Sequence, residues 1–294
     1  MRIFLVLAVL GLALAVTGAA AITFWPLPVS PDLGVIDGDA KRGAYLLRAG
    51  GCVACHTRND GDLLAGGEPL KSPFGEFRAP NITANQENGI GGWSLSDFAR
   101  AVRQGVRPDG TPYYPAFPYE FYAAYSDQDV ADMWSAIRSA PASAAASPGH
   151  ALPFPFNIRN GVSVWRSFFA APYRHERDNA RSASWNRGRF FVEGPAHCGA
   201  CHTPRNLIGG LVTDEALSGN PEMMDGSRAP GITASQLKER GWTVDTLRRA
   251  LRTGTLHDGD AFGGSMAEVV EEGTSYMLTQ HLEDIARYLL DVDE

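Results

Sequence analysis

From Ile3 to Trp25 the chain is almost wholly apolar, and no charged residue falls between Ile3 and Pro31. A helix crossing a bilayer core needs about 20 such residues, so residues 1–30 are predicted to hold a membrane-spanning N-terminal helix. Arg2 precedes the span and Asp32, Asp37 and Asp39 follow it. The positive-inside bias then puts the N-terminus in the cytoplasm and the bulk of the chain outside, which in a bacterium is the periplasmic side of the inner membrane. The alternative is a cleaved secretory signal, with Arg2 as its basic start and Ala19, Ala20 and Ala21 as the small residues a peptidase needs. Signal cores usually run only about 7 to 15 residues. Here apolar residues continue through Ile22, Phe24 and Trp25, with aromatics at the expected membrane boundary.

Beyond this segment the periodicity is helical. Leu95, Phe98 and Val102 recur at the spacing of one helix face, and so do Val244, Leu247 and Leu251. Ser94 and Thr243 stand where N-caps belong, and Gly105 and Gly254 where the helices should stop. Further helices are expected from Ser126 to Ser139 and from Thr279 to Leu290. No alternating pattern is long enough to predict a strand. The fold class expected is all-α.

The pattern also repeats. Gly43-Ala44-Tyr45-Leu46-Leu47 matches Gly188-Arg189-Phe190-Phe191-Val192, and Arg78-Ala79-Pro80-Asn81-Ile82-Thr83 matches Arg228-Ala229-Pro230-Gly231-Ile232-Thr233. Gly92-Trp93-Ser94 matches Gly241-Trp242-Thr243. Internal self-similarity of this kind marks a duplicated structural unit, so two tandem domains are predicted at 36–140 and 184–294. The segment between them, 141–183, opens rich in Ala, Pro and Ser and then carries Phe154, Phe156, Trp165, Phe168 and Phe169. A flexible linker has no need of those aromatics. They are expected to pack over the seam between the domains.

Chemistry enters with the cysteines. The chain has four, and all lie in two Cys-x-x-Cys-His motifs: Cys52, Cys55 and His56, then Cys198, Cys201 and His202. None remains for a disulfide. Two thiols at this spacing can form thioethers to the two vinyl groups of one haem, and the adjacent histidine can reach the iron. Two covalently bound haem c groups are therefore expected, with His56 and His202 as iron ligands. A four-cysteine zinc site would keep its pairs within about 20 residues, and here nearly a whole domain intervenes. A thioredoxin-like redox pair would follow a βαβ pattern, which neither motif does. The formal charge of −7 and pI near 5.5 argue against a nucleic-acid partner and favour one with a basic docking face.

The residues taken together resemble the multihaem cytochrome c subunits of membrane-bound bacterial dehydrogenases, the family serving alcohol, gluconate, sorbitol and aldehyde oxidation. The resemblance rests on Gly43 to Leu47, both haem motifs, Pro80 to Thr83, Gly89 to Trp93, Tyr114 to Tyr119, Cys198 to Asn206 and Met266 to Val270. It covers nearly all of the chain after the N-terminal segment. Many such subunits have three haem domains, and this chain stops after two; many carry Met where this chain has Phe117.

The resemblance implies that the carbonyls of Pro80 and Pro230 hold the ring nitrogens of His56 and His202 that do not face iron. Met266, in a glycine-rich loop before the last helix, is expected as the sixth ligand of the second haem. A His/Met iron has a raised potential. The Gly-Trp displacement carries Met266 back to position 117, a phenylalanine that cannot ligate. Met133 lies at a core phase of its helix, Met223 and Met224 precede the second Arg-Ala-Pro loop, and Met277 adjoins the last helix. The first haem is thus five-coordinate, water-bound, or ligated from outside the repeat, for instance by His150. Trp93 and Trp242 either pack on haem edges or belong to the core, and Arg78 and Arg228 either offset propionate charge or are solvated.

Electron transfer from a periplasmic dehydrogenase to a quinone or oxidase of the respiratory chain is the function expected, with no catalytic site of the chain's own. Two alternatives stay open at this level. One is a dihaem enzyme acting on peroxide or a sulfur compound at an open first haem. The other is the electron-entry subunit of a terminal oxidase.

Overall fold

The computed structural model describes residues 2–23, 27, 32–170 and 175–293. Helix α1 covers Arg2–Thr23. The first unit follows with α2 (Ala40–Ala49), α3 (Cys52–His56), strands β1 (Pro69–Ser72) and β2 (Gly75–Arg78), then α4 (Leu95–Gln104), α5 (Tyr119–Tyr122) and α6 (Asp127–Ser139). Helix α7 (Gly161–Phe169) lies between the units. The second unit holds α8 (Ala183–Glu193), α9 (Gly199–His202), α10 (Ala234–Glu239), α11 (Val244–Thr253), α12 (Gly264–Glu272) and α13 (Thr279–Leu289). The protein is mostly helical. Among the described residues no helix is long and apolar enough to cross a membrane, the side chains of α1 being described without a break only over 10–21. Phe24 and Trp25 lie outside the described residues.

Local signals set the helix ends. Ser94 and Ser126 each accept a hydrogen bond from the backbone of a residue three positions on, Asp97 and Asp129, whose carboxylates bond back to the caps. Thr243 caps α11 in the same way with Thr246. Gly105 and Gly254 close α4 and α11 at φ of 61° and 75°, the left-handed conformation a side chain resists. Helix α13 begins at Thr279, with Leu278 as its N-cap and no side-chain cap.

Each unit is built on one helix crossing. In the first, α2 crosses α6 at Gly43, where a Cβ would collide with the carbonyl of Asp132; in the second, α8 crosses α13 at Gly188, where it would collide with that of Asp284. The same aspartates clamp the crossings. Asp132 accepts from the Asp39 N–H at 2.8 Å and pairs with Arg42, while Asp284 pairs with Arg187 at 2.8 Å and accepts from Ser184 at 2.5 Å. Leu46, Leu47, Phe98, Val102, Val130 and Ile137 fill the first core; Phe191, Val192, Leu247, Leu251, Leu282 and Ile285 fill the second.

One element contradicts the all-helical expectation. Strands β1 and β2 form an antiparallel hairpin with Pro69 opposite Arg78 and Ser72 opposite Gly75. Its strands are only four residues long, β1 mostly exposed and β2 burying Phe77 alone, so they leave no period-2 apolar signature.

The 141–183 segment lies on both units where it is described. Ser143 and Ala145 receive the buried Asn81 amide at 2.9 Å, Tyr114 donates to Phe156 O at 2.9 Å, and the Arg166 guanidinium donates to the carbonyls of Gln104 and Gly105. On the second unit, the Trp165 indole donates to Ile208 O at 2.8 Å, and Phe169 packs on Gly210.

Candidate functional site

In each unit a short helical turn carries the Cys-x-x-Cys-His motif. Gly51 opens the first at φ 71°, and Thr57 ends it in an extended conformation. Thr203 ends the second in the same way. The thiols are free and at least partly exposed. The protein packed around them pushes Cys52 and Cys198 up to about 12, and Cys55 to about 11 despite its open edge, where the charges of Glu268 and Cys201 add to the effect. Before attachment they are therefore neutral thiols at physiological pH.

His56 Nδ1 lies 2.7 Å from Pro80 O, and His202 Nδ1 lies 2.7 Å from Pro230 O. A carbonyl can only accept, so Nδ1 carries the hydrogen and Nε2 is left with its lone pair. Burial lowers the affinity of both rings for a proton, the proline carbonyl partly opposing it. Both rings are accordingly held in the neutral tautomer that can ligate a metal through Nε2. Among the described residues no group of three or more His, Cys, Asp or Glu side chains is gathered so as to hold a metal ion by itself. Paired neutral thiols beside one oriented imidazole suit covalent haem attachment instead.

The remaining predicted residues divide. Met266 is the third residue of α12, a helix where a loop was expected, and sits half-buried against the second core. Phe117, which the repeat pairs with Met266, lies before α5, its ring against Tyr113, Tyr119 and Tyr122 at 5.4, 6.4 and 5.7 Å. Met133 and Met277 are each only 1% exposed, inside the two cores. Met223 accepts a weak bond from the Ser227 hydroxyl at 3.7 Å in an outer loop. His150 is tied to the hairpin: its Nδ1 accepts from the Arg78 N–H at 3.1 Å, and its ring packs on Phe77 and Tyr114. Burial and the nearby Arg159, Arg107 and Arg78 push its pKa down to about 4. Trp93 and Trp242 are half-buried against their cores, Trp242 also against His257 at 4.5 Å. Arg78 is paired with Glu76, whereas Arg228 is exposed.

The structure adds residues that the motifs do not announce. The two attachment turns meet across the seam between the units. A Cβ on Gly51 would lie 3.1 Å from the His197 ring, and one on Gly199 would lie 3.5 Å from the Phe121 ring. The Tyr122 hydroxyl donates to Gly50 O at 2.5 Å, and the Tyr122 and His197 rings meet edge to face at 5.9 Å. Helix α12 lies on α3, so the Met266 helix of one unit touches the attachment turn of the other. Tyr45 meets His281 at 2.5 Å, and Arg48 pairs with Glu272 at 3.6 Å while its guanidinium covers the Tyr276 ring at 3.9 Å. His197 and Gly51 are both the residue before a motif's first cysteine. That shared position was the one available signal, and it is silent about contact.

Two helical units with paired attachment turns define a two-centre haem c electron carrier. No family model matches the chain. It is 38% identical over 288 residues to the diheme cytochrome c-type protein of Cereibacter sphaeroides, covering 95% of each. It is 40% identical over 265 residues to the gluconate 2-dehydrogenase cytochrome c subunit of Pantoea cypripedii, 86% of this chain and 59% of that one. The fructose dehydrogenase cytochrome subunit of Gluconobacter japonicus is 38% identical over 288 residues, 96% of this chain and 57% of that one. The chain thus spans a little over half the length of these two dehydrogenase subunits. It belongs to the diheme c-type cytochrome family, related to the cytochrome subunits of dehydrogenases, and carries two covalently bound haem c groups.

Proposed function

We propose that this cytochrome takes electrons from a periplasmic dehydrogenase and passes them to a quinone or oxidase of the respiratory chain, held at the inner membrane by α1. Each haem c supplies one-electron chemistry between ferric and ferrous iron, while the chain supplies attachment, orientation and spacing. Cys52 with Cys55, and Cys198 with Cys201, would form the thioethers. His56 and His202 would ligate iron, oriented by Pro80 and Pro230, and Met266 would complete the second site. At the first site Phe117 offers no ligand, and Met133 is fixed in the core.

The observation that carries the reading is the meeting of the two attachment turns. Electron tunnelling weakens steeply with separation, and the seam contacts at Gly51–His197 and Tyr122–His197 keep the two motifs adjacent. The named relatives support a dehydrogenase as donor. For α1, the support is a 22-residue helix whose only charged residue is Arg2, with Phe4, Leu12 and Leu14 each more than 60% exposed.

Mild-detergent purification of the native protein, with identification of its companions, tests the reading. A dehydrogenase subunit should copurify, and its substrate should reduce both haems. Isolation with an oxidase core and no dehydrogenase would overturn it.

A further inference from the structure

Large apolar side chains stand exposed along one stretch of surface outside both haem sites. Phe154 is 78% exposed, Phe156 42%, Ile158 49% and Phe168 72%, all on the 152–169 segment that bridges the units. Beside them, at the tip of a second-unit loop, Leu207 is 101% exposed and Ile208 55%. The two stretches form one surface. The Trp165 indole donates to Ile208 O at 2.8 Å, and Phe74 joins Phe156 edge to face at 5.0 Å while lying 3.4 Å from the Cβ position of Gly209. A monomer has no folding reason to hold so many large apolar groups in water on one face.

Two observations say what covers it. Helix α7, within this surface, lies against α1, whose own apolar side chains are exposed. The charge is also one-sided. In a chain of formal charge −7, residues 152–170 and 203–212 contain no Asp or Glu, while the half-buried Arg159 and Arg205 lie among them and Arg166 is buried on the Gln104 and Gly105 carbonyls. An apolar face without acidic residues beside an apolar helix matches an anionic phospholipid surface, which takes apolar side chains into the headgroup boundary and repels acidic ones.

We propose that this surface is a membrane-docking face, in which Phe154, Phe168 and Leu207 enter the lipid interface and hold the haem units at a fixed orientation to the bilayer. The proposal rests on the reading of α1 as an anchor. A tethered domain with no second contact would tumble about its tether; one that docks presents the same flank to its partners at every encounter.

The test uses the full chain, haem-loaded, in vesicles of phosphatidylethanolamine and phosphatidylglycerol and in native membranes. The photoreactive p-benzoylphenylalanine replaces Leu12, Phe168, Leu207 or the exposed Glu239, one position at a time. After irradiation, mass spectrometry reads the adducts. Lipid adducts at Phe168 and Leu207, well above the level at Glu239, are expected alongside lipid adducts at Leu12. Lipid at Leu12 with only background at Phe168 and Leu207 would overturn the docking face and leave the anchor standing. Background at all three would overturn both. Protein adducts at Phe168 or Leu207 in native membranes would overturn the proposal by making the surface a subunit interface.

Discussion

Replacing Gly43 with Ala should destabilise the first unit selectively. A Cβ at this position would collide with Asp132 O and Asp132 C, and would come to 2.8 Å from Met133 N. All three are main-chain atoms of α6, so no rotamer change can relieve the contact. The helices must separate, and the packing of Leu46, Leu47, Val130 and Ile137 around the crossing loosens with them. Overpacking of a tight core typically costs about 1–3 kcal/mol, and a rigid backbone contact belongs at or above the upper end. Alanine's better helix propensity offsets about 1 kcal/mol. A net loss of about 2 kcal/mol follows, which for a unit of this size lowers the unfolding midpoint by roughly 8–16 °C. Thermal denaturation of the haem-loaded protein, followed by circular dichroism and by the Soret band, measures it. Gly149→Ala is the control, since no atom lies within 4 Å of that Cβ position. A Gly43→Ala midpoint equal to that of Gly149→Ala would refute the account of the crossing.

Denatured protein should show two haem additions by mass spectrometry, and the Cys198→Ser, Cys201→Ser double variant should show one; two additions to the double variant would place an attachment elsewhere. Met266→Ala should remove the near-infrared sulfur-to-iron band and lower the potential of one haem only, whereas Phe117→Met should add a second such band; two equal His/Met haems in the unaltered protein would refute the assignment at Phe117. Asp132→Asn should cost roughly 2 kcal/mol at pH 7, less than a fully buried pair because Arg42 is 47% exposed. The Arg42 pairing holds the Asp132 carboxyl below its ordinary 3.8, burial acting the other way. The stabilisation is therefore present above pH 3.8 and is lost as the pH falls through the lowered folded-state value, so in denaturant titrations the gap between the two proteins should narrow as the pH drops below 3.8. Membranes washed in high salt should retain the protein; N-terminal sequencing that begins after Ala21 would make the segment a cleaved signal.

Much of this molecule is decided by short-range rules, and those parts can be read along the chain. The Cys-x-x-Cys-His motifs are local chemistry, and the Ser94 and Thr243 caps and the Gly105 and Gly254 stops are set by the backbone within a turn or so. The duplication is visible because Gly43 and Gly188, or Pro80 and Pro230, recur at matching places. Its arithmetic also pairs Phe117 with Met266 without coordinates. Other features depend on residues far apart in the chain. Asp132 and Asp284 look like ordinary helix-surface acids until α2 and α8 lie across them. His150 was a free candidate ligand by sequence, and folding commits its Nδ1 to the Arg78 amide 72 positions away. The hairpin at 69–78 forms from four-residue strands, too short for an alternating pattern, whose pairing, not their hydrophobicity, defines them. The seam is the extreme case. Gly51 and His197 are 146 residues apart, and their shared place before a motif's first cysteine says nothing of contact, because a contact between two folded units is selected by the shapes of their surfaces, and those shapes exist only after each core has closed.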